Sequence, residues 1–358
     1  WLGTFSGLLQ WPEPETVVWN DRHGLPSAHS RFVAPVGSRV WVGTWQGLGR
    51  IDAVAGWFVG STMPAPWHPY GSPFVGADDV VWVGTTAGLR EIRGERTVRI
   101  RPFDRVYWDA APAPDGGLWL ASADGLLHAP ANGSPVRPVV GSPFGPGVIV
   151  RQILQTRSGD LWLAGDERIC HRRGPAVSSA DWDCTTIPGA VEVTGLVELP
   201  SGAVWAASSR LGVWRFRDGR FEPMPANAQL DSRAVYRLVP APGGSIWVLG
   251  FATPIRVREA PASEDGWEVL ESLAAGQGVP AEGQDLAEAS DGALWLATSL
   301  GVARIPSEAR EVTAEAPPVA LVSVVTDGRP GPARDHRAAR RHDAHRRERR
   351  IRVHRPRA

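Results

Sequence analysis

From Arg233 to Ala241 apolar and polar side chains alternate, a Pro242-Gly243-Gly244 turn interrupts them, and an apolar run continues from Ser245 to Gly250. Alternation, a tight turn and a second apolar segment describe two antiparallel strands of a sheet. The pattern recurs along the chain, each time with a tryptophan near the start of the second segment, at Trp1, Trp41, Trp82, Trp119, Trp162, Trp205, Trp247 and Trp295. The successive spacings are 40, 41, 37, 43, 43, 42 and 48 residues, the length of a four-stranded propeller blade. Elsewhere the turn before the tryptophan reads Asp115-Gly116, Ser158-Gly159, Ser201-Gly202 or Asp291-Gly292, pairs that tolerate a positive φ in a hairpin.

A small-residue step, Gly43-Thr44 or Gly84-Thr85, follows the tryptophan strand, and a third strand such as Leu48 to Asp52 comes next. The fourth strand is the most variable, as at Gly56 to Pro64 and Gly219 to Pro225. Helical periodicity is confined to Val269–Ala275. The expected fold is all-β: a seven-bladed β-propeller of four-stranded blades over residues 24–315. Trp1 has no inner strand before it, so residues 1–23 read as the remnant of a preceding blade, with an eight-bladed ring as the alternative. Residues 316–332 change to proline punctuation, an alternating strand from Val319 to Val325 and an Asp327-Gly328 turn, the way a β-sandwich begins. Residues 333–358 have no apolar period and read as a disordered Arg-rich tail.

Charge sharpens these boundaries. The net charge of zero divides unevenly, because residues 333–358 hold 11 Arg against Asp335, Asp343 and Glu348, leaving 27 Arg and 35 acids before them. An acidic body argues against a nucleic-acid partner. All 38 basic residues are arginine, the mark of a GC-rich coding sequence. The tail therefore has two readings, a shift of reading frame near Gly331 or a basic segment for nucleic acid or anionic lipid. There is no run of 18 apolar residues, and the chain opens on a blade phrase, so a signal peptide or membrane helix is expected outside it. Cys170 and Cys184 fall in one repeat. Adjacent strands would bring them within disulfide range, which fits an oxidising compartment; the alternative is two half-buried thiols.

Walker, H-E-x-x-H and G-x-S-x-G motifs are all missing, and no cofactor or metal site is expected. His342 and His345 lie in the tail and the other histidines are scattered. Propellers bind ligands where their inner strands begin. Counting eleven residues back from each repeat tryptophan, with hairpins of equal length, reaches Ser30, Gly71, Trp108, Arg151, Thr194, Tyr236 and Gln284. Trp108 and Tyr236 are suited to stacking on a sugar, Arg151 to holding a carboxylate or sulfate; the same ring of residues can equally be solvated channel lining. Trp57, Trp67 and Tyr70 form a second aromatic group in one connection between blades, read as a cap on the blade's outer strand, with a ligand shelf or an interface to a neighbouring domain as the alternative.

The repeated phrase, as in Trp41 to Leu48 and Trp82 to Leu89, together with Gly24-Leu25-Pro26-Ser27 and Gly278-Val279-Pro280, resembles the two-component regulator propeller repeat. Pro317 to Gly331 resembles the first strand of the Y_Y_Y sandwich that follows such propellers. The resemblance implies the periplasmic sensor region of a hybrid histidine kinase or diguanylate cyclase. It implies ligand sensing, with a small molecule or oligosaccharide as partner and a homodimer formed through the sandwich. The kinase and cyclase signatures are absent here, so no enzymatic activity is expected of this chain, which reads as a truncated fragment. The alternatives are a propeller glycan hydrolase or lyase, which a pair of carboxylates at the funnel would favour, and a non-functional fragment.

Overall fold

The computed structural model describes residues 16–307 with short interruptions, together with the strands Leu2–Thr4, Gly7–Leu9, Val324–Thr326 and Arg329–Gly331. Seven four-stranded antiparallel sheets follow one another as the blades of a propeller. Blade 1 spans residues 30–63, blade 2 residues 69–101, blade 3 residues 107–138, blade 4 residues 152–186, blade 5 residues 193–223 and blade 6 residues 235–272. Each runs in simple chain order from its inner to its outer strand, and the first strands of consecutive blades neighbour one another around the centre.

Blade 7 is built differently. Its first three strands are Asp285–Glu288, Leu294–Thr298 and Gly301–Ile305, and its outer strand is Val17–Trp19 from the other end of the ring. Val17 faces Arg304, Val18 faces Ala303 and Trp19 faces Val302. Part of residues 1–23, expected as a remnant of a separate blade, is thus the closing strand, and the ring begins before residue 24. Gly301 makes the junction possible: its φ is +139°, and a Cβ there would lie 2.2 Å from the Trp19 carbonyl oxygen.

Residues 13–312 form the compact unit that holds the ring. Residues 1–12 with 313–358 form a second unit, in which Leu2–Thr4 pairs with Gly7–Leu9 and Val324–Thr326 pairs with Arg329–Gly331. Residues 319–323 of the expected sandwich strand, and all of 333–358, lie outside the described residues. The segment with helical periodicity enters the outer strand of blade 6, Trp267–Ser272. Pairing with Ile255–Glu259 and burial of Trp267 override the local period there.

The repeated phrase now has a physical account. A flat ring at the start of each second strand can fill the wedge between two blades. Trp205, Trp247 and Trp295 are wholly buried, and Trp41, Trp119 and Trp162 nearly so. Each junction between consecutive blades carries its own apolar cluster; Trp205 joins Val235, Leu238 and Val248 of blade 6, and Trp295 joins Val33, Val40 and Val42 of blade 1. Nine residues after most of these tryptophans, directly across on the third strand, stands an arginine or histidine. The Arg50 guanidinium lies 5.8 Å from the Trp41 ring, while the His128 and His171 rings lie 4.7 and 4.2 Å from Trp119 and Trp162. The acid of the preceding turn completes the set: Asp115 bonds His128 at 3.1 Å and Asp291 bonds Arg304 at 2.9 Å.

The hydroxyl of the small-residue step closes the next hairpin. Thr44, Ser122 and Thr298, all fully buried, donate to the carbonyl of the glycine three residues on, at 3.0, 2.9 and 2.9 Å. Blade 5 has one residue more in this loop, and the Ser208 hydroxyl is left buried without a partner. Asn227 holds the strand instead, accepting from Val213 N and donating to Val213 O, both at 2.8 Å. Cys170 and Cys184 face each other on the third and outer strands of blade 4 and form a disulfide, with Cα atoms 4.0 Å apart.

Candidate functional site

The inner strands start at one end of the ring, and the hairpins between second and third strands converge there. Register breaks at this end of four inner strands, between Ser30 and Phe32, Tyr107 and Asp109, Val193 and Gly195, and Val235 and Arg237. Each break inserts one residue, Arg31, Trp108, Thr194 or Tyr236, and such bulges redirect side chains at sheet ends. Arg151 and Gln284 occupy the same level in blades 4 and 7, donating their N–H groups to Ala164 O and Ala297 O at 2.7 and 2.8 Å. Five of the counted positions, Trp108, Arg151, Thr194, Tyr236 and Gln284, therefore lie on one level of the mouth.

The count fails in blades 1 and 2. Ala34 faces Trp41 seven positions on, whereas Ala111 faces Trp119 eight positions on. The blade 1 hairpin is one residue shorter, so Arg31 takes the level assigned to Ser30. Ser30 is fully buried, its hydroxyl donating to Ala28 O at 3.4 Å. In blade 2, Gly71 falls within the irregular stretch between Tyr70 and Phe74. Of the second aromatic group, Trp57 and Trp67 lie outside the described residues; Tyr70 pairs with Gly84 within the blade 2 sheet.

The mouth residues are tied to one another. The Arg151 guanidinium lies 5.4 Å from the Trp108 ring; its Nε meets Asp166 at 2.7 Å and its Nη1 meets Glu192 at 2.9 Å. Expected as an anion holder, Arg151 is thus already satisfied by two carboxylates and links blades 3, 4 and 5. Thr194 Oγ1 donates to Val235 O of blade 6 at 2.6 Å.

Two features were absent from the sequence count. Trp45, at the hairpin tip of blade 1, is 52% exposed. Arg31 covers its ring at 5.4 Å and His29 meets it edge-on at 5.5 Å, while the Trp45 backbone N–H donates to the His29 backbone O at 3.1 Å. At the matching tip of neighbouring blade 7 stands Leu300, 64% exposed. A large exposed ring with a guanidinium over it and an imidazole edge-on to it can serve as a stacking surface.

The second feature lies on the inner strands themselves. Asp109 Oδ2 accepts from Ile153 N of blade 4 at 3.0 Å, and Asp285 Oδ2 accepts from Val33 N of blade 1 at 3.1 Å. Arg237 of blade 6 reaches Asp285 Oδ1 at 2.9 Å. Enclosure pushes the Asp109 carboxyl up to about 6, against the N–H groups of Ile153 and Ala110 and the charge of Arg237. Burial also raises Asp285, with Arg237 and backbone N–H groups opposing it. Among the described residues, no group of three or more His, Cys, Asp or Glu is placed to hold a metal ion.

The Asp109 shift has a consequence for stability. A carboxyl raised on folding contributes stability below its unfolded value of 3.8 and loses it as pH rises through about 6. The loss between these limits is on the order of 3 kcal/mol. Asp109→Asn is expected to remove that slope, so the difference in unfolding free energy between wild type and variant should change from pH 4 to pH 7 and then level off. A constant difference across the range would show that Asp109 does not titrate there.

No sequence-family model matches the chain, and no curated protein matches it in sequence. Solved structures do share its fold. A virginiamycin B lyase from Staphylococcus aureus is 12% identical with a TM-score of 0.61, the match covering 81% of this chain and 97% of that one. A chain of a mitotic checkpoint complex is 14% identical with a TM-score of 0.62, over 84% of this chain and 98% of that one. The extracellular domain of a putative hybrid two-component system, BT3049 from B. thetaiotaomicron, is 12% identical with a TM-score of 0.65. That match covers 82% of this chain and 41% of the other, so the chain spans about two fifths of that domain's length. Among the described residues, no helix is long and apolar enough to cross a membrane. At these identities the solved structures share the propeller fold with this chain, and the extracellular domain of a putative hybrid two-component system is among them.

Proposed function

We propose that the chain is the ligand-sensing propeller of an extracytoplasmic sensor of the two-component or cyclic-di-GMP signalling type. Its ligand is a small molecule or an oligosaccharide, bound at the mouth. The observation that carries this reading is Trp45, half exposed at the mouth with Arg31 and His29 fixed against it. An exposed indole gains apolar contact on stacking against a sugar ring or another flat ligand, and its neighbours supply hydrogen bonds to the ligand's edge. The two-component relative supports the reading at the level of fold, and the disulfide suits an extracytoplasmic setting. A glycan and metabolite binding screen tests it. Trp45→Ala is expected to weaken binding at least tenfold, Trp108→Ala less, and both should melt within a few degrees of wild type. A ligand bound equally well by wild type and Trp45→Ala would reject the mouth platform.

A second reading, a glycan hydrolase or lyase, gains one observation. Asp109 and Asp285 supply the pair of carboxylates that none of the counted positions provided. Both are engaged, however: Asp285 with Arg237 and Val33 N, Asp109 with Ile153 N and Ala110 N. Turnover of any glycan in the screen that Asp109→Asn abolishes would favour this reading over sensing.

A further inference from the structure

At the opposite end of the ring the inner strands of blades 4, 5 and 6 end unevenly. The blade 4 strand is short, Gln152–Gln155, and turns back through Thr156 to Asp160. The blade 6 strand runs seven residues, Val235–Ala241, before the Pro242–Gly244 turn. Between them lies a cavity of about 410 Å³. Its walls include Leu154, Leu196, Leu199, Pro200, Pro240 and Ile246.

One side of the cavity is polar and held in place. Glu198 Oε2 accepts from Arg157 N at 2.8 Å and lies 3.3 Å from Arg157 Nε, while Arg157 Nη2 donates to Leu199 O. The Glu198 side chain is only 13% exposed. Among the described residues its contacts run through Oε2, and Glu198 lines the cavity, so its second carboxylate oxygen is the acceptor it offers there. The carboxylate's charge is already balanced by Arg157, which favours a neutral donor over a cation.

We propose that this cavity is a binding site for a small, uncharged, largely apolar molecule that carries one N–H or O–H donor for Glu198. Protein interiors are close-packed, and an open volume of this size walled by leucine and proline gains free energy when an apolar body fills it. The volume lies within the range of small-molecule sites, and a mainly aliphatic wall with a few fixed polar groups, here Glu198, Arg157 and Ser245, is their usual composition. The site is separate from the mouth and does not depend on the function proposed for it.

N-phenyl-1-naphthylamine is a suitable probe: it is neutral, apolar, bears one N–H and fluoresces when removed from water. Titrated into the full chain, it is expected to bind saturably and to shift the methyl resonances of Leu154, Leu196 and Ile246. Leu154→Trp and Ala241→Phe, which place bulk into the cavity from half-buried positions, should weaken binding at least tenfold. Trp45→Ala at the mouth should leave binding unchanged. The N-methylated probe, which lacks the donor, should bind several-fold more weakly. Absence of saturable binding, equal binding by both filled variants, or methyl shifts confined to the mouth would overturn the proposal. Equal affinity of the methylated probe would overturn the role of Glu198.

Discussion

Trp19→Ala is expected to lower the unfolding free energy by about 3–5 kcal/mol, the largest effect of any single substitution considered for this ring. Trp19 is 5% exposed, stacks on Trp295 with centroids 5.2 Å apart, and lies in the cluster that joins blade 7 to blade 1. The closing strand is three residues long, so this one side chain supplies most of its apolar burial. Its loss removes the transfer energy of the indole and leaves a void against Trp295. It also frees the edge of Gly301–Ile305, which would then present unpaired backbone groups. Urea unfolding at constant pH measures the effect, and limited proteolysis near residue 16 should accelerate in parallel. A change below about 1 kcal/mol would mean that the ring closes without the strand.

Cys170→Ser with Cys184→Ser should cost about 3 kcal/mol, the value expected for a bridge across so short a loop. The two cysteines are 14 residues apart and face each other across two strands, so the bridge fits the native register. Its effect falls on the unfolded chain, where it removes loop conformations that a serine pair restores. Reducing the wild type should lower its stability by a similar amount and leave the double variant unchanged. Equal sensitivity of both proteins to reductant would place the effect elsewhere.

The architecture was legible because one side chain carries it. A tryptophan at the start of each second strand must fill a wedge between blades, so it returns at the blade period and exposes both the number and the order of the sheets. The partner across from it was legible in principle too: Arg50, His128, His171 and Arg304 stand nine residues after their tryptophans. The closing strand was not. Val17, Val18 and Trp19 make no period of their own, and their partners Val302 to Arg304 are remote in sequence.

The site was legible only in part. Counting back from the tryptophan reached Trp108, Arg151, Thr194, Tyr236 and Gln284 because their hairpins are of equal length. It missed Arg31 because one hairpin is a residue shorter. Asp109 and Asp285 escaped because they follow the counted position by one residue, and an inward-facing acid reads in sequence like any polar residue of an alternating strand. Trp45 was hidden inside the repeated phrase. Only its exposure separates it from the buried tryptophans around it.

The closing strand also determines how the ring would respond to a pull on its ends. Val17 pairs with Arg304, so the chain enters the ring and leaves its third strand at the same edge of blade 7. Tension applied through residues 16 and 306 would load these antiparallel pairs one after another, beginning at Val17 and ending at Trp19. A zipper geometry of this kind yields at low force, whereas a sheared pair would share the load. Such a pull would open the seam from Val17 inward, with the Trp19–Trp295 stack at the far end of the closing strand parting last.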